Sequence, residues 1–432
     1  MPSTFSRRSF VKLGGAAMAA SVLSGSRLSA FAQGTSSLVA HLRSITIPTT
    51  TELLTSLGTF WGNKHNIPVK LSQLSRQQLT QSMVSSAQSG KGPDIIESTY
   101  LLAYAHADML VDIRDMCEQV GNANGGWYDF AREQCVMDGV WRAMPHFFAP
   151  IAMVYRKDFF TQAGIGVLPK TWDDMLTAGT KLKAMGKPMG FTFGHALGDG
   201  PSFVFSLLWA FGGSVTDADG KINLDSAETK RAVQFGQQLY HDALSDTSLT
   251  YDDPDNNTEF LTEKISCTMN PTSLLWQAQN DKVAFLEQID HFPMPAGPAG
   301  TPLLLEAHTL GIPKFSKNIE KAKEFISYLN SPDVWTPLLP TAFAFEAPLL
   351  KSYDDRPDMP WNSNPKLTVF KGQANLGKAL NYPGKPSAKT SPLAMNFIIT
   401  DMFARVCRGG KATVDESIQQ AVQAVKDMYQ AA

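Results

Sequence analysis

The chain has 432 residues, 43% of them hydrophobic and 18% charged, with a formal net charge of −2. That length exceeds one ordinary core and suits two domains, and the balance of apolar and charged residues is that of an ordered globular protein. The near-zero charge excludes a basic footprint for nucleic acid.

In chain order, Ser6-Arg7-Arg8-Ser9-Phe10-Val11-Lys12 is similar to a twin-arginine export signal. A short apolar stretch, Leu13 to Leu23, follows, and Ala30-Phe31-Ala32 offers small residues for cleavage before Gln33. The stretch is too short to span a bilayer, which needs about 20 residues. With no cysteine near the cleavage position, the expectation is residues 1–32 as a signal cleaved near Ala32, and a free periplasmic protein exported by the twin-arginine route. Four cysteines remain, Cys117, Cys135, Cys267 and Cys407, without C-x-x-C spacing. Cys117 and Cys135 are the nearest pair; a disulfide and buried free thiols both stay open.

Beyond the signal, strand-like and helix-like segments alternate: a strand at Ser44–Thr49, a helix at Glu52–Trp61, a strand at Pro68–Leu74, a helix at Gln77–Ala87, a strand at Asp94–Glu97 and a helix at Leu101–Met109. This order predicts an α/β fold with a mostly parallel sheet covered by helices on both faces, and a ligand site beyond the carboxyl ends of the strands. Pro145 and Pro150 interrupt the apolar stretch Trp141–Tyr155, which reads as a crossover into a second lobe. There Thr171 caps a helix with Asp174 reaching back, and Pro201–Phe211 is an apolar helix. Helices follow at Ser226–Leu244 and Thr258–Lys264, a Pro- and Gly-rich linker at Phe292–Gly300, and helices from Ser316 to Asn330 and from Thr413 onward.

Catalytic motifs are missing. There is no G-x-S-x-G, no P-loop, and no paired histidine spacing for a metal. Asp173-Asp174 suits a helix start and Asp252-Asp253 lies in a loop, so both acidic pairs read as structural. No cofactor and no enzymatic activity are expected.

Several segments then point one way. Gly92-Pro93-Asp94-Ile95-Ile96 is followed by Ala107-Asp108-Met109-Leu110-Val111-Asp112. Val154-Tyr155-Arg156-Lys157-Asp158-Phe159-Phe160 precedes Ala163-Gly164-Ile165 and Pro169-Lys170-Thr171-Trp172-Asp173. Pro293-Met294-Pro295 leads to Ile312-Pro313-Lys314 and Glu324-Phe325-Ile326. Together these resemble family 1 extracellular solute-binding proteins of ABC importers, over essentially the whole mature chain. The resemblance implies a two-lobe type II binding-protein fold with a hinge, one lobe being 34–146 plus 292–335 and the other 147–291 plus 336–432. It also implies a monomer that binds a small polar solute, foremost a sugar or sugar derivative, and delivers it to the permease subunits. A polyamine or organic-cation receptor of the same fold, or an exported enzyme, are the rival readings.

Positions matching the family's cleft are Thr50 and Thr51 after the first strand; Glu97, Ser98, Thr99 and Tyr100 after the third; His146 and Phe147 at the crossover; Asp199, Ser202 and Phe203 before and within the apolar helix; and Asn270 and Trp276. Hydroxyls, amides and carboxylates there can bind sugar hydroxyls, and aromatic faces suit the apolar side of a sugar ring. Phe343 and Phe345 lie near the last crossing. Where the family commonly carries glycines, this chain has Glu306-Ala307-His308, so Glu306 and His308 are expected to touch the ligand, with an amino-bearing one in view.

Overall fold

The computed structural model describes residues 37–44, 47–99, 102–409 and 412–431. The export signal, its cleavage position and Tyr100 lie outside the described residues. No helix among the described residues is long and apolar enough to cross a membrane.

Two sheets organise the chain. The first contains strands β1 (Leu38–Arg43), β2 (Val69–Leu74), β3 (Ile95–Ser98) and β4 (Met144–Phe148). The second is built on β5 (Ala152–Arg156), flanked by β6 (Cys267–Asn270) and β7 (Ile289–Phe292). The chain then returns to the first sheet through β8 (Ala307–Gly311) and β9 (Ala347–Pro348), giving that sheet the order β9-β4-β8-β3-β1-β2. The expected α/β two-lobe class holds, but the sheets are not mostly parallel. Only β2, β1 and β3 run parallel; β8 is antiparallel to both β3 and β4, and β5 pairs antiparallel with both its neighbours. The returning strands enter after long excursions through the other sheet, and helix–strand alternation carries no record of their direction.

The first strand is Leu38–Arg43 rather than Ser44–Thr49. Leu38, Ala40 and Leu42 alternate inward, the period-2 pattern of a strand that buries one face. Helix α1 starts at Pro48, where proline's fixed φ and missing N–H suit a first helical position, and runs to His65. Helix α2 (Arg76–Ser89) is closed by a capping box: Gln78 N–H donates to Ser75 Oγ at 3.3 Å, and Ser75 N–H donates to Gln78 Oε1 at 2.9 Å.

Pro145 is tolerated inside β4 because the ladder breaks beside it. His308 pairs with Phe147 and Thr309 with Pro145, so His146 is the extra residue of a bulge, and β9 covers only Phe147 and Phe148. The crossover to the second sheet is therefore Ala149-Pro150-Ile151. Phe147, Phe148, Ala347 and Pro348, expected in the second lobe, are strand residues of the first sheet. The Thr171–Asp174 capping box forms as predicted, as do the reciprocal bonds between Thr413 and Glu416. The four cysteines are free and buried, which settles the open choice against a Cys117–Cys135 bridge.

Candidate functional site

A cavity of about 350 Å³ lies where the carboxyl ends of β1 and β6 meet the start of β8. The first sheet and its helices contribute Arg43, Arg76, Glu306, His308 and Phe345. The second lobe contributes Asp199, Ser202, Asp253, Asn257, Asn270, Ser273 and Gln277, and Ala149 and Ile151 of the crossover lie between.

Helix α3 (Asp199–Ala210) supplies Asp199 and Ser202. Three residues apart, they share one helix face and both reach the cavity. Phe203 is turned away by one further residue and is fully buried against Trp172, Phe191 and Phe193. It belongs to the core, not to the site. Asp253 caps α3 from a separate loop, its Oδ1 accepting the N–H groups of Gly198 at 2.9 Å and Asp199 at 3.1 Å. The structural reading of that aspartate is correct, and it also lines the cavity. Helix α4 (Asp255–Leu261) adds Asn257, whose Oδ1 accepts from Asn270 Nδ2 at the end of β6. Helix α5 (Ser273–Asn280) adds Ser273 and Gln277, one turn apart; Ser273 Oγ donates to Asn270 Oδ1 at 3.1 Å. Trp276, on the same helix and partly buried, is not among the lining residues.

The opposite wall is a charged network. Arg76, at the first position of α2, is ion-paired to Glu306 and donates to Thr99 Oγ1 at 3.2 Å. A cation at a helix N-terminus opposes the helix dipole at a cost of about 0.3–1 kcal/mol, and the Glu306 partner offsets it. Arg43 Nη1 lies 2.9 Å from His308 Nε2, while His308 Nδ1 lies 2.6 Å from Glu97 Oε1. A guanidinium has only donors, so Nε2 must accept and the imidazole proton must sit on Nδ1, donated to Glu97. Glu97 Oε2 accepts the Arg43 backbone N–H at 2.8 Å. Burial, helped by Arg43 and Arg76, holds the His308 imidazole well below its usual range, in keeping with the neutral form. Burial pushes the Glu97 carboxyl up to about 7, against the Arg43 N–H and charge that hold it down.

Phe147 stacks flat on His308, with centroids 4.2 Å apart and planes 8° from parallel. It fixes the imidazole from behind and does not face the cavity. Glu97 likewise stands behind His308. Ser98 is buried, its hydroxyl 2.9 Å from that of Thr309, and Thr99 is bound by Arg76. His146 points into the core toward Asn330 Oδ1 at 3.4 Å, and burial lowers its imidazole to about 4. Thr50 and Thr51 stand in the first turn of α1 with buried hydroxyls that have no hydrogen-bond partner among the described residues, and neither lines the cavity.

Of the predicted residues, the cavity thus brings together Asp199, Ser202, Asn270, Glu306 and His308, with Phe345 from the last crossing. Arg43, Arg76, Asn257 and Gln277 escaped the sequence reading. Placing the first strand six residues late hid Arg43 from the carboxyl end where it stands. An arginine opening a helix that has no acidic residue in its first turn was a readable anomaly.

A family model described as bacterial extracellular solute-binding protein matches residues 48–334. A probable ABC transporter-binding protein of Deinococcus radiodurans is 26% identical over 196 residues, 43% of this chain and 46% of its own. A diacetylchitobiose-binding protein of Streptomyces coelicolor is 26% identical over 265 residues, 57% of this chain and 59% of its own. The chain thus spans roughly half the length of these curated relatives. Among solved structures, an ABC transporter solute-binding protein of Thermotoga lettingae bound with α-D-tagatose superposes with a TM-score of 0.76 at 21% identity, over 91% of this chain and 100% of that one. A maltose-bound T. maritima protein gives 0.74 at 21% identity, over 91% and 99%. These likenesses establish the fold.

Proposed function

Because the chain belongs to the bacterial extracellular solute-binding protein family, we propose that it is the receptor of an ABC importer and captures a sugar or sugar derivative by closing two lobes on it. The observation that carries this reading is the cavity itself. Its second-lobe wall presents hydroxyls and amides from Ser202, Asn257, Asn270, Ser273 and Gln277 beside Asp199 and Asp253, its first-lobe wall presents Arg43, Arg76, Glu306 and His308, and Phe345 offers an aromatic surface. Such groups replace water on sugar hydroxyls while the aromatic ring covers the apolar side. Micromolar affinity needs only about −8 kcal/mol, within reach of a few hydrogen bonds and one stacked ring.

Closure hinges on the segments that join the sheets: Ala149–Ile151, Leu305–Glu306 after the Pro- and Gly-rich stretch, which is bonded to the second lobe at Ala296, Ala299 and Leu304, and the chain beyond Pro348. Ligand contacts made only in the closed form shift the open–closed balance, and no bond is made or broken. The protein is exported by the twin-arginine route, cleaved near Ala32, works as a monomer in the periplasm and presents its closed form to the permease subunits. The ligands of the similar proteins, diacetylchitobiose, maltose and α-D-tagatose, support the carbohydrate reading.

A thermal-shift panel of sugars, amino sugars, polyols and polyamines tests the proposal. A ligand at 100 times its Kd stabilises the native state by about 2.7 kcal/mol, so a true ligand raises Tm measurably. A panel in which no carbohydrate raises Tm, or turnover of one by the purified protein, overturns it.

A further inference from the structure

We infer that the cleft selects a carbohydrate bearing a free, cationic amino group, seated against Asp199 of the second lobe. This rests on the carbohydrate reading and narrows it. The two walls differ in charge balance. On the first-sheet wall Arg76 is paired with Glu306, and Arg43 stands among His308, Glu97, Glu306 and Glu346, so both guanidiniums have carboxyl groups of their own wall beside them. On the second-lobe wall the charged lining residues are Asp199 and Asp253, and among the described residues no lysine or arginine of that lobe lines the cavity.

The two aspartates are not equivalent. Asp253 Oδ1 is taken by two backbone N–H groups at the start of α3. Asp199 Oδ2 accepts from Asn256 Nδ2 at 2.8 Å, and Oδ1 receives no hydrogen bond from the described residues. Burial and the neighbouring Asp253 push the Asp199 carboxyl up to about 7; the Asn256 bond and, across the cavity, Arg76 and Arg43 hold it down. A carboxylate facing a cavity, desolvated and short of a counter-charge, is complementary to an ammonium group. A hydroxyl can donate to it but cannot neutralise it. An anionic ligand would meet both aspartates, and of the two guanidiniums Arg76 is paired to Glu306 while Arg43 donates one bond to His308. A polyamine carries only donors when protonated, so the amide N–H groups of Asn257 and Gln277 on the cavity wall would meet no acceptor on it.

The test is calorimetry on the full chain at pH 7 with three disaccharides that share one framework and differ at carbon 2: chitobiose (amine), cellobiose (hydroxyl) and diacetylchitobiose (acetamide). Spermidine serves as a cation without a sugar. Chitobiose is expected to bind at least tenfold more tightly than the other two sugars, and Asp199→Asn to bring that ratio within about threefold. Should the variant not fold, the parent's pH profile decides: the amine advantage peaks near neutrality, falling as Asp199 protonates below and as the ammonium deprotonates above. Equal or tighter binding of cellobiose or diacetylchitobiose, or an amine advantage that survives Asp199→Asn, overturns the inference and leaves a carbohydrate receptor standing. Binding of spermidine alone, or of none of the four, also overturns the inference, and the wider thermal-shift panel then decides the carbohydrate reading.

Discussion

Replacing Glu97 by leucine asks whether its carboxylate holds together the charged network behind the cavity wall. Glu97 is 2% exposed and accepts two hydrogen bonds, from the Arg43 backbone N–H at 2.8 Å and from His308 Nδ1–H at 2.6 Å. Leucine fills a similar volume and accepts neither. Each of the two orphaned buried donors costs about 1–3 kcal/mol, and with His308 neutral no ion pair is broken. A loss of about 4 kcal/mol is therefore expected in urea denaturation at pH 8, with the m-value unchanged. In Glu97→Leu/His308→Phe the imidazole donor is gone and a ring still stacks on Phe147, so about 1–3 kcal/mol should return. A single-variant loss below about 1 kcal/mol, or a double variant no more stable than the single, would refute the reasoning.

Three further outcomes follow from the same geometry. Phe203→Ala should cost about 3–5 kcal/mol in denaturant unfolding while the folded fraction keeps its ligand affinity within about threefold, because the ring fills the core and not the cavity. Glu346 is 1% exposed and neither carboxylate oxygen accepts a hydrogen bond from another residue; burial pushes it from 4.5 up to about 8, with Arg43 opposing. The folded state therefore holds a proton that the unfolded chain releases, so this group makes stability fall as pH rises from about 4.5 to 8. Glu346→Gln should match the parent at pH 4 and exceed it by about 3–5 kcal/mol at pH 8, read from paired urea titrations. Thr171→Val removes the acceptor that Asp174 N–H reaches at 3.1 Å and should lower stability by about 1 kcal/mol in the same assay.

Local patterns were the legible part of this chain. The capping boxes at Thr171–Asp174 and Thr413–Glu416 form because they need only residues three apart. The break at Pro150 follows from proline chemistry alone. The family motifs carried the two-lobe fold. Strand direction in the first sheet was not legible, since β8 and β9 reach it only after the chain has built most of the second lobe. The site was legible at the start of α3, where Asp199 and Ser202 reach the cavity, but Phe203, expected beside them, turns into the core. It was misread where bulge or register decides. His146 is the bulge residue and turns into the core, and Phe147 is opposite His308 and stacks behind it. Arg43 and Arg76 were missed because their partners, His308 and Glu306, lie more than two hundred residues away, and only folding brings them to one wall.

The measurement closest to the central claim is a crystal structure of the protein with the tightest-binding sugar of the panel. The sugar is expected enclosed between Glu306 and His308 on one side and Asp199, Ser202 and Asn270 on the other, with the crossovers at 149–151 and 305–306 rotated to bring those walls together. A sugar bound outside this cavity, or bound with the two walls no closer than in its absence, would contradict it.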